Sequence, residues 1–331
     1  MTDVAAPPHT FQGCVYLPDG TARDVSNADE LNHALEQDSA FGWVDCGDPT
    51  TAFLAHLDEE LGFHRLSLED ALEAHERPKV DRYETHLFLT ATTVVLDLVV
   101  GTPVVSAVKA FVTPKLVVLV HDGTFDAGPL IHRWHAETEL ARYGVGFLVW
   151  ALLDQVVDAH FEAVQQLDDD IEATEDILFG DGVRPRDLQR RVYQLRKRLA
   201  TLRRVALPMR EVLNTLMRRD ADFIDPGMIP YLQDVYDHVL RVSEWTDSLR
   251  DLATAMLDTQ VAVEGNRMNL IMKKVTSWAA IIAVPAAVTG FYGQNVPFPG
   301  FGQASGVLTS VALIVSISAA LYVVFKRKDW I

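Results

Sequence analysis

The side chains able to do chemistry gather in a few stretches of this sequence. Asp168, Asp169, Asp170, Glu172, Glu175 and Asp176 form an acidic run. After the turn FGDGVRP comes a basic one: Arg184, Arg186, Arg190, Arg191, Arg196, Lys197, Arg198, Arg203 and Arg204. Carboxylates at this density either pair with the basic arm or attract cations. His132 and His135, three apart on an expected helix, have the spacing of a metal-ligating pair, but no carboxylate pattern supports them, and solvated surface histidines are the default reading. Cys14 and Cys46 show neither disulfide-framework nor zinc-site spacing and read as ordinary thiols of a reducing compartment. There is no phosphate-binding glycine loop, nucleophile elbow or paired-thiol motif, which disfavours an enzyme or an ATP-driven pump. With 29 basic against 46 acidic residues, a net charge of −17, the basic arm does not read as a nucleic-acid surface.

The charge is confined to part of the chain, and that fixes the elements around it. From Val275 to Phe325 there is no Asp, Glu, Lys, Arg or His. Val275–Tyr292 and Gly306–Phe325 are each long enough to cross ~30 Å of hydrocarbon as a helix. Lys273 and Lys274 precede the first span, Lys326, Arg327 and Lys328 follow the second, and the connecting loop is uncharged. Basic flanks mark the cytoplasmic side, so both ends are expected inside and the loop outside. The opening MTDVAAPPHT lacks the basic and apolar regions of a signal peptide, in keeping with a body that is not exported.

Within the first span, Ala279, Ala283, Ala286, Ala287 and Gly290 make a stripe of small residues. Such a stripe suits close helix packing or the wall of a narrow axial path. Two helices cannot enclose a pore, so conduction requires several copies around an axis. Pro285 is tolerable there, where neighbours satisfy the freed carbonyl.

Upstream, an unbroken helical pattern begins near Pro230 and repeats Leu232, Val235, Val239, Val242, Leu249, Leu252 and Met256 on one stripe. Continued through the membrane it would run ~90 Å and needs partners. The acidic and basic arms form a helical hairpin before it, the first arm from about Phe147 to Phe179. The N-terminal part reads as mixed α/β. Strands are expected over FQGCVYL, FGWVDC, THLFLTATTVVLD, VVSAVKAFV and KLVVLVHD, and helices over SNADELNHALEQ and DPTTAFLAHLDEELG.

The segment FYGQNVPFPGFG, directly after the first span, carries Tyr292, Gly293, Gln294 and Asn295. In that position it resembles the Tyr-Gly-Met-Asn signature of the CorA family of divalent-cation channels. YLQDVYDHVLRVSEWTDSLRD, NRMNLIMKKVT, LEDALEAHERPKV and the ending FKRKDWI are similar to the same family, in the same order, from about Leu66 onward. Gln294 stands where the family has Met, and the acidic Met-Pro-Glu-Leu stretch of the outer loop is absent.

The resemblance implies a funnel-shaped homo-oligomer, a homopentamer. It has an α/β cytoplasmic domain (1–145), a helical hairpin (146–229) and a stalk helix (230–274). The stalk continues into a pore-lining span (275–292), an outer loop (293–305), a second span (306–325) and a basic cytoplasmic tail (326–331). Gly293, Gln294 and Asn295 would form a selectivity loop holding a hydrated ion by its outer waters, since Mg²⁺ dehydrates reluctantly. Asn269 would mark the pore entrance, Met272 and Val275 a hydrophobic constriction, and Ala279, Ala283 and Ala286 the path beyond. Regulatory metal between subunits would join Asp258 to Asp70, with Asp234 and Glu69 nearby.

The implied activity is influx of Mg²⁺, and of Co²⁺ or Ni²⁺, across an inner cell membrane, gated by internal divalent metal. A Zn²⁺ transporter of the same fold, proton-coupled, is the alternative that the altered loop raises. A non-conducting membrane-anchored scaffold or sensor is the third reading. The partners expected are other copies of the chain, the bilayer and divalent cations.

Overall fold

The computed structural model describes residues 11–49, 61–73, 76–96, 102–179, 185–218, 224–294 and 297–331. Most of the helix expected over DPTTAFLAHLDEELG lies outside the described residues, as does Asn295. The chain divides into two compact units, Met1–Thr254 and Ala255–Ile331.

The first unit is built on a seven-stranded sheet: β1 (Phe11–Tyr16), β2 (Ala22–Val25), β3 (Phe41–Gly47), β4 (Lys79–Arg82), β5 (Leu87–Leu96), β6 (Pro103–Val112) and β7 (Leu116–His121). Its order is β2-β1-β3-β7-β6-β5-β4, with β3 and β7 parallel and every other pair antiparallel. Alternation along the strands sends side chains to two cores, because successive residues of a strand point to opposite faces. Leu87, Leu89, Ala91, Val117 and Leu119 join one core, and Phe88, Leu116, Val118 and Val120 the other.

The second of these cores is closed by α1 (Ala28–Leu35), through Leu31 and Ala34, and by α2 (Arg65–Leu72), through Ala71. Asn27 caps α1 by accepting the Glu30 N–H at 2.9 Å, so the expected helix starts where its capping residue dictates. The first core is closed by α3 (Gly128–Ala136) and by α4 (Val145–Phe179), whose residues from Phe147 to Leu153 are almost all fully buried. Helix α5 (Pro185–Met217) follows α4 as the basic arm of the hairpin. Among the described residues the two arms pair through Asp170, which accepts from Arg198 at 2.6 Å, while Arg191 donates to Thr174 at 2.9 Å.

Helix α6 runs without a break from Ile229 to Tyr292, through Gly265 and Pro285, and α7 spans Ala304–Arg327. Within the first unit Leu232, Val235 and Val239 of α6 are buried in the first core. That burial is the role the apolar stripe implied for this part of the helix.

Candidate functional site

In the second unit, α6 presents two opposed faces. Ser277, Ile281, Val284 and Val288, spaced by three and four, are buried or half-buried and form the covered face. Asn269, Met272, Val275, Ala279, Ala283 and Ala286 are all exposed. At 100° per residue Met272, Val275, Ala279, Ala283 and Ala286 fall on the side of the helix turned away from the covered face, and Asn269 falls at its flank. The stripe that sequence spacing could assign either to packing or to an ion path is therefore not used for packing within one chain.

Apolar exposure continues around both helices, with Met272, Val275, Ile282 and Phe291 of α6 and Val307, Leu308 and Val315 of α7 all open. So large an exposed apolar surface suits the lipid of a membrane. Both helices are long and apolar enough to cross a membrane.

The turn after α6 starts tightly. Gly293 donates its N–H to the Thr289 carbonyl at 2.8 Å, and Gln294 to Phe291 at 3.3 Å, so the backbone still points as in the last helical turn. Gly293 and Gln294 are exposed. Further on, Gly300 has φ +91°, and a Cβ on Gly306 would stand 2.5 Å from the Gly300 carbonyl oxygen. Gly300 is thus required by a left-handed conformation and Gly306, in the first turn of α7, by close approach. Tyr292 packs edge-on against Phe298 at 4.8 Å between centroids, fixing the end of α6 to the loop.

The expected regulatory acids are placed unequally. Asp70, near the end of α2, is half-buried, and its carboxylate accepts from Lys79 at 2.7 Å. Lys79 also meets Glu76 at 3.0 Å and Asp81 at 2.9 Å. Burial disfavours its charge, yet these carboxylates hold the ammonium above its ordinary range. Lys109, buried on β6, donates to the carbonyls of Asp70 (2.8 Å), Ala71 (2.9 Å) and Glu73, and so ties down the C-terminal end of α2. Glu69, Asp234 and Asp258 are exposed helix residues. None of the four acids belongs to a three-ligand group among the described residues.

A constellation that spacing did not disclose is Asp154 and Asp158 of α4 with His238 of α6, their ligand atoms all within 4.8 Å of one another. Only the i, i+4 pair on α4 was visible in the sequence; His238 is brought to it by tertiary packing. Asp154 is already held by Arg133 at 2.5 Å, and the Arg133 guanidinium lies over the Trp150 ring. Burial, with Asp154 beside it, pushes the Asp158 carboxyl above the usual carboxylate range.

The sequence matches the family described as CorA-like Mg2+ transporter protein over residues 38–327. This chain belongs to that family. It is 27% identical to the cobalt/magnesium transport protein CorA of Thermotoga maritima, across 95% of this chain and 97% of the relative. It is also 23% identical to the zinc transport protein ZntB of Pectobacterium carotovorum, across 80% of each. The complete structure of the CorA magnesium transporter from Methanocaldococcus jannaschii superposes with a TM-score of 0.78 at 23% identity, covering 97% of this chain and 99% of that one. The α/β unit, long helix and two apolar C-terminal helices are thus the CorA fold. As a CorA-like protein, the chain is a divalent-cation transporter of the membrane and not an enzyme.

Proposed function

We propose that several copies of this chain, five by the family resemblance, surround an axis lined by the exposed stripe of α6. Hydrated Mg²⁺, and Co²⁺ or Ni²⁺ with it, passes inward along that axis. The observation that carries this reading is the exposure of Met272, Val275, Ala279, Ala283 and Ala286 on the side of α6 opposite its covered face. Gly293 carbonyls, Gln294 and Asn295 form the outer selectivity ring, and Asn269 the inner mouth. Met272 and Val275 close the path by dewetting when they approach one another. No carboxylate lies in the membrane, which suits an ion that keeps its water and is held through hydrogen bonds to that water. The membrane potential supplies roughly 4–5 kcal/mol per divalent ion for each 100 mV.

Internal metal gates the channel by joining Asp258 to Asp70 of a neighbouring copy, with Asp234 and Glu69 close by. Asp70 is held by Lys79, so such an ion either displaces that ammonium or uses the second carboxylate oxygen. The N-terminal unit and the C-terminus lie in the cytoplasm, the side that Lys273, Lys274, Lys326, Arg327 and Lys328 favour. A second reading, proton-coupled Zn²⁺ transport, is favoured by the likeness to ZntB and by Gln294 in a loop without charge.

The deciding experiment is flux into proteoliposomes of the purified protein with Mg²⁺, Co²⁺ or Zn²⁺, with and without a pH gradient. Potential-driven Mg²⁺ uptake, inhibited by internal Mg²⁺ and lost in Asn295→Ala, is the expected result. Zn²⁺ movement that requires the proton gradient would establish the second reading instead. Absence of flux for every ion would leave a membrane-anchored scaffold.

A further inference from the structure

The edge of the sheet holds a group of ligands that the transport path does not use. In the register of β1 and β2, Cys14 pairs with Asp24, and in that of β1 and β3 it pairs with Trp43. The three side chains therefore stand in one row on one face of the sheet. Helix α3 crosses this row. Its Trp134 packs on Trp43 at 5.0 Å between centroids, and its His135 meets the same ring edge-on at 5.8 Å. The result is that Cys14 Sγ, an Asp24 carboxylate oxygen and a His135 ring nitrogen all lie within 4.8 Å of one another. Cys14 is fully buried, whereas Asp24 and His135 are exposed. The group is thus a sulfur at the bottom of a notch whose rim carries an oxygen and a nitrogen.

We propose that Cys14, Asp24 and His135 bind a borderline-soft divalent cation, Zn²⁺ or Co²⁺, with water completing a tetrahedral shell. One thiolate, one imidazole and one carboxylate are the donors that Zn²⁺ takes, at about 2.3, 2.0 and 2.0–2.2 Å. A tetrahedron of those radii has edges of about 3.5 Å, so closure asks the two rim side chains to move by about an ångström. Asp24 is on the edge strand and His135 in the last turn of α3, and both are exposed, so solvent borders the rotamer change that closure requires. Mg²⁺ is excluded by the same donor set, because it wants six oxygens in octahedral array and gains nothing from sulfur. The site thereby favours transition-metal ions over Mg²⁺, and it does so outside the membrane spans.

Binding is a proton exchange. The S–H bond of Cys14 breaks, the metal–sulfur bond forms, and the proton leaves to solvent. Burial, and the Asp24 carboxylate beside it, push the Cys14 thiol up to about 12. Cys46 sits in the core on the opposite face of the sheet and belongs to no such group among the described residues.

The test uses the full chain in detergent micelles, titrated with Co²⁺ and followed by absorbance. Thiolate ligation produces a sulfur-to-cobalt charge-transfer band, which the oxygen ligands of an ion path cannot give. The band is expected in the unaltered protein and in Cys46→Ser. It is expected to vanish in Cys14→Ser, to be displaced by stoichiometric Zn²⁺, and to be unaffected by excess Mg²⁺. Asp24→Asn and His135→Gln alter exposed residues and leave the fold intact. Each should weaken Co²⁺ binding by at least the roughly 10–100-fold that disturbing even the outer partners of a ligand costs. Failure of the band to form at saturating Co²⁺, its survival in Cys14→Ser, or unchanged affinity in both rim variants would each overturn the proposal. Loss of ion flux would not, since the readout is independent of transport.

Discussion

Acid should unfold the N-terminal unit through two buried histidines. His160, in the middle of α4, is fully buried; its Nε2 donates to the Thr92 carbonyl at 2.7 Å, and Nδ1 has no partner among the described residues. His86 is equally buried, with Ser67 Oγ at 2.9 Å from Nε2 and Thr85 Oγ1 at 2.9 Å from Nδ1. Burial depresses both to about 4, and His64 adds to the effect at His86. A depressed folded-state value means that the unfolded chain, titrating near 6.5, binds protons first. Stability is therefore complete above about pH 6.5 and is lost as pH falls toward 4.

Over the whole window the loss is about 3 kcal/mol for each residue, and at pH 5 roughly 2. His121 works in the opposite sense. Although burial disfavours its charge, Asp45 at 3.0 Å and the Asp122 carbonyl raise its value, so it offsets part of the loss. Comparing variants removes that offset. Denaturant unfolding of the full chain in detergent, at pH 7 and pH 5, should show a drop that shrinks by about 2 kcal/mol in His160→Gln and by about 4 in the double variant with His86→Gln. An unchanged pH dependence in the double variant would refute the argument.

Replacing Lys109 by Met removes the ammonium that holds three carbonyls at the end of α2. Bonds from a charged donor are strong, but the buried charge carries a desolvation cost, so the net loss expected is about 2–4 kcal/mol in denaturant unfolding. Faster proteolysis near Glu73 should accompany it. In Gly42→Ala the new Cβ would lie 2.5 Å from the Cys14 carbonyl oxygen and 3.1 Å from Val15 Cγ2. A paired strand cannot yield there, so thermal unfolding should report about 1–3 kcal/mol of lost stability.

Sequence alone determined the elements whose signal is local. The charge-free run from Val275 to Phe325 located both membrane helices, because a span needs only length and apolarity. Five strands, β1, β3, β5, β6 and β7, were legible from apolar stretches, and α6 from its apolar periodicity. The strands β2 and β4 were not. ARDV is exposed at three of its four positions and KVDR has no fully buried residue, so neither has a hydrophobic face to announce it. Tertiary structure decided which side of α6 is left open, since burial of Ser277, Ile281, Val284 and Val288 depends on packing that periodicity does not specify. It decided that Asp70 has Lys79 for a partner. It also joined Cys14 to Asp24 and His135, residues ten and more than a hundred positions apart, which only strand register and the crossing of α3 bring within ligand distance. Helix and strand formation follow from neighbours along the chain, whereas a binding site follows from neighbours in space.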